Sequence, residues 1–170
     1  DAFYSSIEHA APAVVGLNCG TGPEFMTDHV RTLAGMAKSF VSCYPNAGLP
    51  DSDGKYNETP GMVAAALGRF IEQGWMNLVG GCCGTTPEYI REIAKVARSG
   101  KPRPPVTARL TQVSGIEYVP CEESSRPLIV GERTNVTGSK KFRELIMAGK
   151  FEEAAEIGRK QVKAGAHILD

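Results

Sequence analysis

Hydrophobic and polar positions along this chain follow two alternating rhythms. Short apolar runs of strand length occur at "AVVGLN" (13–18), "FVSCYP" (40–45), "NLVGG" (77–81), "LIVGE" (128–132) and "HILD" (167–170). Longer stretches between them repeat at helical spacing. "EFMTDHVRTLAGMAK" places Phe25, Met26, Val30, Leu33 and Met36 on one face, and "GMVAAALGRFIEQG" does the same with Met62, Val63, Ala66, Leu67, Phe70 and Ile71. "PEYIREIAKVARSG", "KFRELIMAG" and "FEEAAEIGRKQVKAG" complete the set, closing on Gly100, Gly149 and Gly165, as Gly74 closes the helix before them. Strands that alternate with helices predict βαβ units and a parallel sheet, so the expected class is α/β.

The rhythm stops between residues 101 and 126. "KPRPPVTARLTQVSGIEYVPCEESSR" holds Pro102, Pro104, Pro105 and Pro120 with clustered charges and no sustained period. It reads as a linker, which divides the chain into a domain over 1–100 and another over 127–170. The opening "DAFYSSIEHAAPAVVG" and the closing "AGAHILD", which ends within an apparent strand, suggest a segment of a longer chain.

Composition narrows the function classes. The 170 residues are 42% hydrophobic, enough for a core, and their formal net charge is zero. That balance points to no nucleic-acid partner, and no apolar run nears the roughly 20 residues of a transmembrane helix. No signal-peptide pattern opens the chain. The cysteines number five and lack disulfide-framework spacing. A reduced, cytoplasmic protein is therefore expected, with cysteines serving a metal or catalysis rather than bridges.

The cysteines also carry a short repeat. "CGTGPEF" (19–25) and "CGTTPEY" (83–89) each follow an apolar run and precede a helix-like run. Each holds a capping-box pattern, Thr21 with Glu24 and Thr85 with Glu88. Both therefore read as strand, sharp turn and helix start, with a cysteine at the strand end. Adjacent residues of a regular strand point to opposite faces, so Cys82 and Cys83 serve one site only if the chain leaves the pleat there. Gly80 and Gly81 supply that freedom. Two βα units of about 30 residues each separate Cys19 from Cys83. In a (β/α)8 barrel the three thiols would converge at one mouth. Three thiolates with an open fourth position match a catalytic zinc site, and a helix N-terminus after each turn favours thiolate. Buried core packing is the competing account of these cysteines, and the expected account of Cys43 in its strand; Cys121, in the linker, carries no expected role. His9, His29 and His167 read as surface residues.

The motifs themselves resemble two known families. "GLNC" (16–19) and "GGCCGTTPEYI" (80–90) resemble the zinc-binding signature of homocysteine S-methyltransferases, and "YPNAGLP" (44–50) the strand and loop between. Gly20 departs from that family's pattern, which has Ala after the first cysteine. "VGERTNVTGSKKF" (130–142) resembles the first strand and loop of pterin-binding barrels, and "AGAHILD" their second strand. The resemblance implies parts of two (β/α)8 TIM barrels joined by the Pro-rich linker: the last three strands of the first and the first two of the second. It implies zinc on Cys19, Cys82 and Cys83, and methyltetrahydrofolate at Glu132, Asn135 and Asp170.

The tandem order is similar to that of cobalamin-dependent enzymes that make methionine. It implies methyl transfer from 5-methyltetrahydrofolate, through methylcobalamin on a cobalamin domain of the same full-length chain, to homocysteine. Three thiolates on Zn2+ leave a net charge of −1, and the substrate thiolate makes it −2, which keeps that sulfur electron-rich. A cobalamin-independent methyltransferase using betaine or S-methylmethionine is the nearest alternative. A structural zinc module is the alternative of another class, although such sites are usually closed by four ligands.

Overall fold

The computed structural model describes residues 1–108 and 111–170. They form two compact units, one of residues 1–108 with 114–118 and one of residues 111–113 with 119–170.

The first unit is built on a parallel sheet of β1 (Val14–Asn18), β2 (Phe40–Tyr44) and β3 (Leu78–Val79), in that order. Register runs from Val14 opposite Phe40 to Asn18 opposite Tyr44, and Cys43 lies opposite Val79. The crossovers are α2 (Thr27–Met36) and α3 (Pro60–Glu72), and α4 (Pro87–Ser99) follows β3. Thr59 caps α3 by accepting the Met62 N–H, and Pro60 fills the first turn, where no donor is needed. Val15, Val41 and Cys43 from the sheet meet Val30 and Leu33 of α2, Val63, Leu67 and Phe70 of α3, and Ile93 of α4 in one core. The helical periods found most of the buried faces; Phe25 and Met62, expected on them, are exposed, Phe25 because it lies in the 3-10 turn before α2 and Met62 in the first turn of α3.

Departures from the sequence expectation have local causes. A helix α1 (Ala2–Ile7) precedes β1 and buries Tyr4, whose phenol oxygen accepts the Lys38 N–H. The stretch expected as one helix from Glu24 begins as a 3-10 turn, Pro23–Met26, before α2. Neither capping box forms. Gly22 precedes the 3-10 turn, and Glu24 pairs with Arg69 of α3 instead. Thr86, not Thr85, precedes α4, while Thr85 Oγ1 donates to the Cys82 carbonyl at 2.7 Å.

The Pro-rich segment starts by packing on the first unit. Arg103 is 4% exposed. Its guanidinium donates to the carbonyls of Ala34 at 2.9 Å, Ser39 at 3.1 Å and Ala37, the groups left open where α2 ends and β2 begins. Asn77 ties the same place together, accepting the Val41 N–H and donating to the Arg103 carbonyl. Replacing Arg103 by alanine leaves these acceptors without a donor. It is expected to lower stability by about 3 kcal/mol, measured as a shift in the denaturant midpoint at constant slope. Further along, β4 (Gln112–Ser114) and β5 (Tyr118–Pro120) form a two-stranded ribbon.

In the second unit β6 (Val130–Gly131) and β7 (Ile168–Leu169) pair in parallel, Val130 opposite Ile168. Helices α5 (Lys140–Met147) and α6 (Phe151–Lys163) connect them. Ser139 caps α5 by accepting the Phe142 N–H.

Candidate functional site

The three predicted cysteines meet where the strands of the first sheet end. Cys19 follows β1 and turns the chain with φ of 59°, a left-handed angle rare for a residue with a Cβ; Gly20 continues the turn at φ 72°. Cys82 and Cys83 lie in the turn after β3, where Gly84 takes the left-handed angle, φ 77°. Gly80 and Gly81 have another role than the one expected of them. Their backbone angles are open to any residue, but a Cβ on Gly80 would lie 2.4 Å from the Tyr44 ring, and one on Gly81 2.6 Å from Thr85. They are glycines because the neighbours approach closely.

A loop between the two cysteine turns holds them in register. Tyr44 accepts the Cys19 N–H at 3.0 Å, and Pro45 accepts the Cys82 N–H at 2.8 Å. Asn46, 4% exposed, gives its N–H to the Thr21 carbonyl, and its Oδ1 accepts the Cys83 N–H at 3.1 Å. Ala47 N–H reaches the Cys83 carbonyl at 2.9 Å. The stretch "YPNA" thus acts as a template contacting both turns.

The sulfurs lie 3.5 Å apart for Cys19 and Cys83 and 3.9 Å for Cys82 and Cys83, and all three lie within 4.8 Å of one another. A tetrahedral ion with zinc–thiolate bonds of about 2.3 Å separates its sulfurs by about 3.8 Å. The donor set therefore fits one zinc ion and leaves a fourth position open. All five cysteines are free thiols.

Electrostatics distinguishes the thiols. The Gly20 backbone N–H, then the neighbouring Cys83 and Cys82 thiols, hold Cys19 below the ordinary thiol value, and Asn46 adds to this. Hydrogen bonds shared with Cys19 and then Cys82 push Cys83 up. Of the two, Cys19 is the earlier to lose its proton. Cys83 is the exposed member of the cluster. Tyr56 packs beside it, and its phenol is pushed up by burial first and then by Cys83.

Cys43 stands apart. It is fully buried, its Sγ lies 3.7 Å from Met26 Sδ, and burial pushes its thiol up to about 12 from an ordinary 9.0. The folded thiol thus stays protonated at mildly alkaline pH, where the unfolded one ionises. Iodoacetamide is expected to label Cys43 only on unfolding, as read by peptide mass spectrometry; labelling of the native chain would contradict this.

In the second unit the strand ends bring two of the three predicted residues together. Asn135 Nδ2 donates to Asp170 Oδ2 at 3.1 Å. Asn135 Oδ1 accepts the N–H groups of Thr137 and Gly138 at 2.7 and 3.2 Å, and Thr134 Oγ1 donates to the Asp170 carbonyl. Glu132 is exposed and turns to Arg133 at 3.6 Å instead.

Sequence reasoning missed Asn46 and Tyr56. Both lie on the connection between β2 and α3, which emerges at the same sheet end as the cysteine turns. Position on that connection was the available signal.

A parallel α/β unit gathers three free thiols at its strand ends, and the second βα unit carries its own polar strand-end cluster. The chain belongs to the homocysteine S-methyltransferase family, whose profile matches residues 1–97. It is a methyltransferase by that membership. A pterin binding enzyme profile matches residues 131–170. In this order the two matches agree with a stretch of methionine synthase spanning those two domains. Among the described residues no helix is long and apolar enough to cross a membrane.

Proposed function

We propose that this chain carries parts of the homocysteine and folate sites of a cobalamin-dependent methionine synthase. Its two units would then be pieces of two (β/α)8 barrels: the domains over 1–100 and 127–170, with 101–126 between them. The observation that carries the reading is the three-sulfur cluster at the strand ends of a homocysteine S-methyltransferase unit. Cys19, Cys82 and Cys83 would hold zinc. Zinc, when bound, supplies a site where the homocysteine sulfur persists as thiolate at neutral pH, although a free thiol there is only a few per cent ionised.

The chain's own residues do the rest of the positioning. The Tyr44–Ala47 loop fixes both cysteine turns and so holds the three sulfurs toward one another. The Gly20 N–H and Asn46 hold negative charge on Cys19. Asn135 and Asp170 present an amide and a carboxylate at the second unit's strand ends, donor and acceptor for the edge of a pterin. Glu132 would join them once methyltetrahydrofolate is bound. The methyl group would pass between the sites on cobalamin carried by another domain. Free thiols throughout suit a reducing compartment, and we assign the protein to the cytoplasm.

The test is zinc analysis of the full chain together with methionine formation from homocysteine and methylcobalamin. Stoichiometric zinc and turnover with methylcobalamin are expected, with none from betaine or S-methylmethionine. Turnover with betaine would favour the cobalamin-independent reading. Zinc held by four protein ligands, without turnover, would favour a structural module. Chelation is expected to abolish this transfer while sparing methyltetrahydrofolate binding, which equilibrium dialysis measures.

A further inference from the structure

The three sulfurs are not all held in the same way. Cys82 and Cys83 are neighbours in one turn, so that turn sets their separation. Cys19 comes from the end of another strand, and its 3.5 Å approach to Cys83 depends on contacts between turns. Asn46 makes one such contact, through the Thr21 carbonyl. Glu58, on the connection from β2 to α3, makes a second set.

Glu58 touches every segment that builds the cluster. Its N–H donates to the Ala47 carbonyl at 3.1 Å, and the Ala47 N–H in turn reaches the Cys83 carbonyl. Its own carbonyl accepts the hydroxyl of Tyr89, a buried residue in the first turn of α4, the helix that follows Cys83. Its side chain runs between Gly22 and Gly48, both buried. A Cβ on Gly22 would lie 2.2 Å from Glu58 Oε1 and 2.9 Å from its Cδ, and one on Gly48 would lie 3.0 Å from its Cγ. Gly22 comes three residues after Cys19, and Gly48 directly follows the template loop. The glutamate side chain is thus laid as a spacer between the Cys19 turn and that loop.

Its charge does not hold it there. Among the described residues no donor bonds the Glu58 carboxylate, and Glu24 beside it is taken up by Arg69. Burial first, and then the Glu24 carboxylate, push the Glu58 acid above its ordinary value, so the charged form is the disfavoured one. What the position uses is the length of the side chain.

We propose that Glu58 is a positioning residue for the cysteine cluster: its extended side chain spaces the Cys19 turn from the template loop and so sets how closely the Cys19 sulfur approaches Cys83. The proposal rests on the zinc site inferred above. Two substitutions separate length from charge. Glu58→Gln keeps the length without the charge. Glu58→Asp keeps the charge but is one methylene shorter, and its carboxylate falls short of Gly22.

The experiment measures zinc affinity of the full chain by competition with a chromophoric chelator, and the visible spectrum of the cobalt-substituted chain, which reports the geometry of the ligands. Glu58→Asp is expected to bind zinc about tenfold more weakly, the lower end for groups that orient metal ligands, and to shift the cobalt d–d bands. Glu58→Gln restores the wild-type affinity and leaves the bands in place. Denaturant unfolding of the metal-free full chain is the control, and Glu58→Asp should keep the wild-type midpoint. Wild-type affinity and spectrum in Glu58→Asp overturn the proposal and leave the zinc site standing. So does a Glu58→Gln chain as weak as Glu58→Asp, which would assign the effect to charge. A zinc loss in Glu58→Asp accompanied by a lowered midpoint makes Glu58 a folding residue and also overturns it. A wild-type chain that takes up no zinc overturns both this proposal and the zinc site.

Discussion

Replacing Cys83 by alanine is expected to remove zinc and methyl transfer to homocysteine together. The expected loss of activity exceeds about 100-fold, because the substrate thiol then depends on its own small ionised fraction and loses its fixed position. Cys83 sits within 3.9 Å of both other sulfurs, so its loss leaves two thiolates and an open side. Cys19→Ala and Cys82→Ala should behave alike, since each supplies one corner of the same cluster. Cys43→Ala separates this effect from general damage. It removes a fully buried sulfur away from the cluster, at a cost of about 1 kcal/mol, and it keeps zinc. Cys121→Ala keeps zinc as well. Elemental analysis of the purified variants decides the matter. A Cys83→Ala chain with stoichiometric metal would show that the three sulfurs are not the ligands. Zinc uptake should also weaken as pH falls, because each thiol must release a proton to bind.

The three cysteines were legible because their signals are local: a short repeat, flanking glycines and strand ends all lie within a few residues of the sulfurs. The support around them was not. Asn46 acts through a bond to Cys83 that spans 37 positions, and Tyr56 touches a glycine from a different turn. Neither contact leaves a period in the sequence. Apart from α1, which the sequence reading did not place, the helices were found with nearly correct limits, since burying one face imposes a repeat. Strands were overdrawn: β3, β6 and β7 pair over only two residues each, because an apolar run does not specify where a partner's ladder ends.

Arg103 shows the same limit from the opposite side. A proline-flanked arginine in a stretch without period reads as solvated, yet three carbonyls around the α2 to β2 turn take up its guanidinium. Side-chain bonds to a distant backbone satisfy polar groups that secondary structure leaves open. The capping boxes fail for a related reason. Thr85 is drawn to the Cys82 carbonyl and Glu24 to Arg69, so tertiary partners outcompete the local reciprocal pair.

Asn135→Ala is expected to cut methyltetrahydrofolate-dependent turnover by about 100-fold, the upper range for residues that orient a site, while sparing transfer from preformed methylcobalamin to homocysteine. Asn135 does two things at once. Its Oδ1 gathers the Thr137 and Gly138 N–H groups, which shapes the loop leading to α5, and its Nδ2 holds Asp170 at the end of β7. Alanine releases both, so the loop loses its turn and the carboxylate its orientation. The cysteine cluster belongs to the other unit, and its sulfurs and template loop all lie between residues 19 and 83. The two half-reactions can therefore be assayed separately on one protein. Asn135→Asp refines the test: it keeps the acceptor for the loop N–H groups but sets a second carboxylate against Asp170, so it should bind methyltetrahydrofolate poorly while the loop stays formed. Equal loss in both half-reactions for Asn135→Ala, with a lowered unfolding midpoint, would show that Asn135 serves folding alone and would remove it from the folate site.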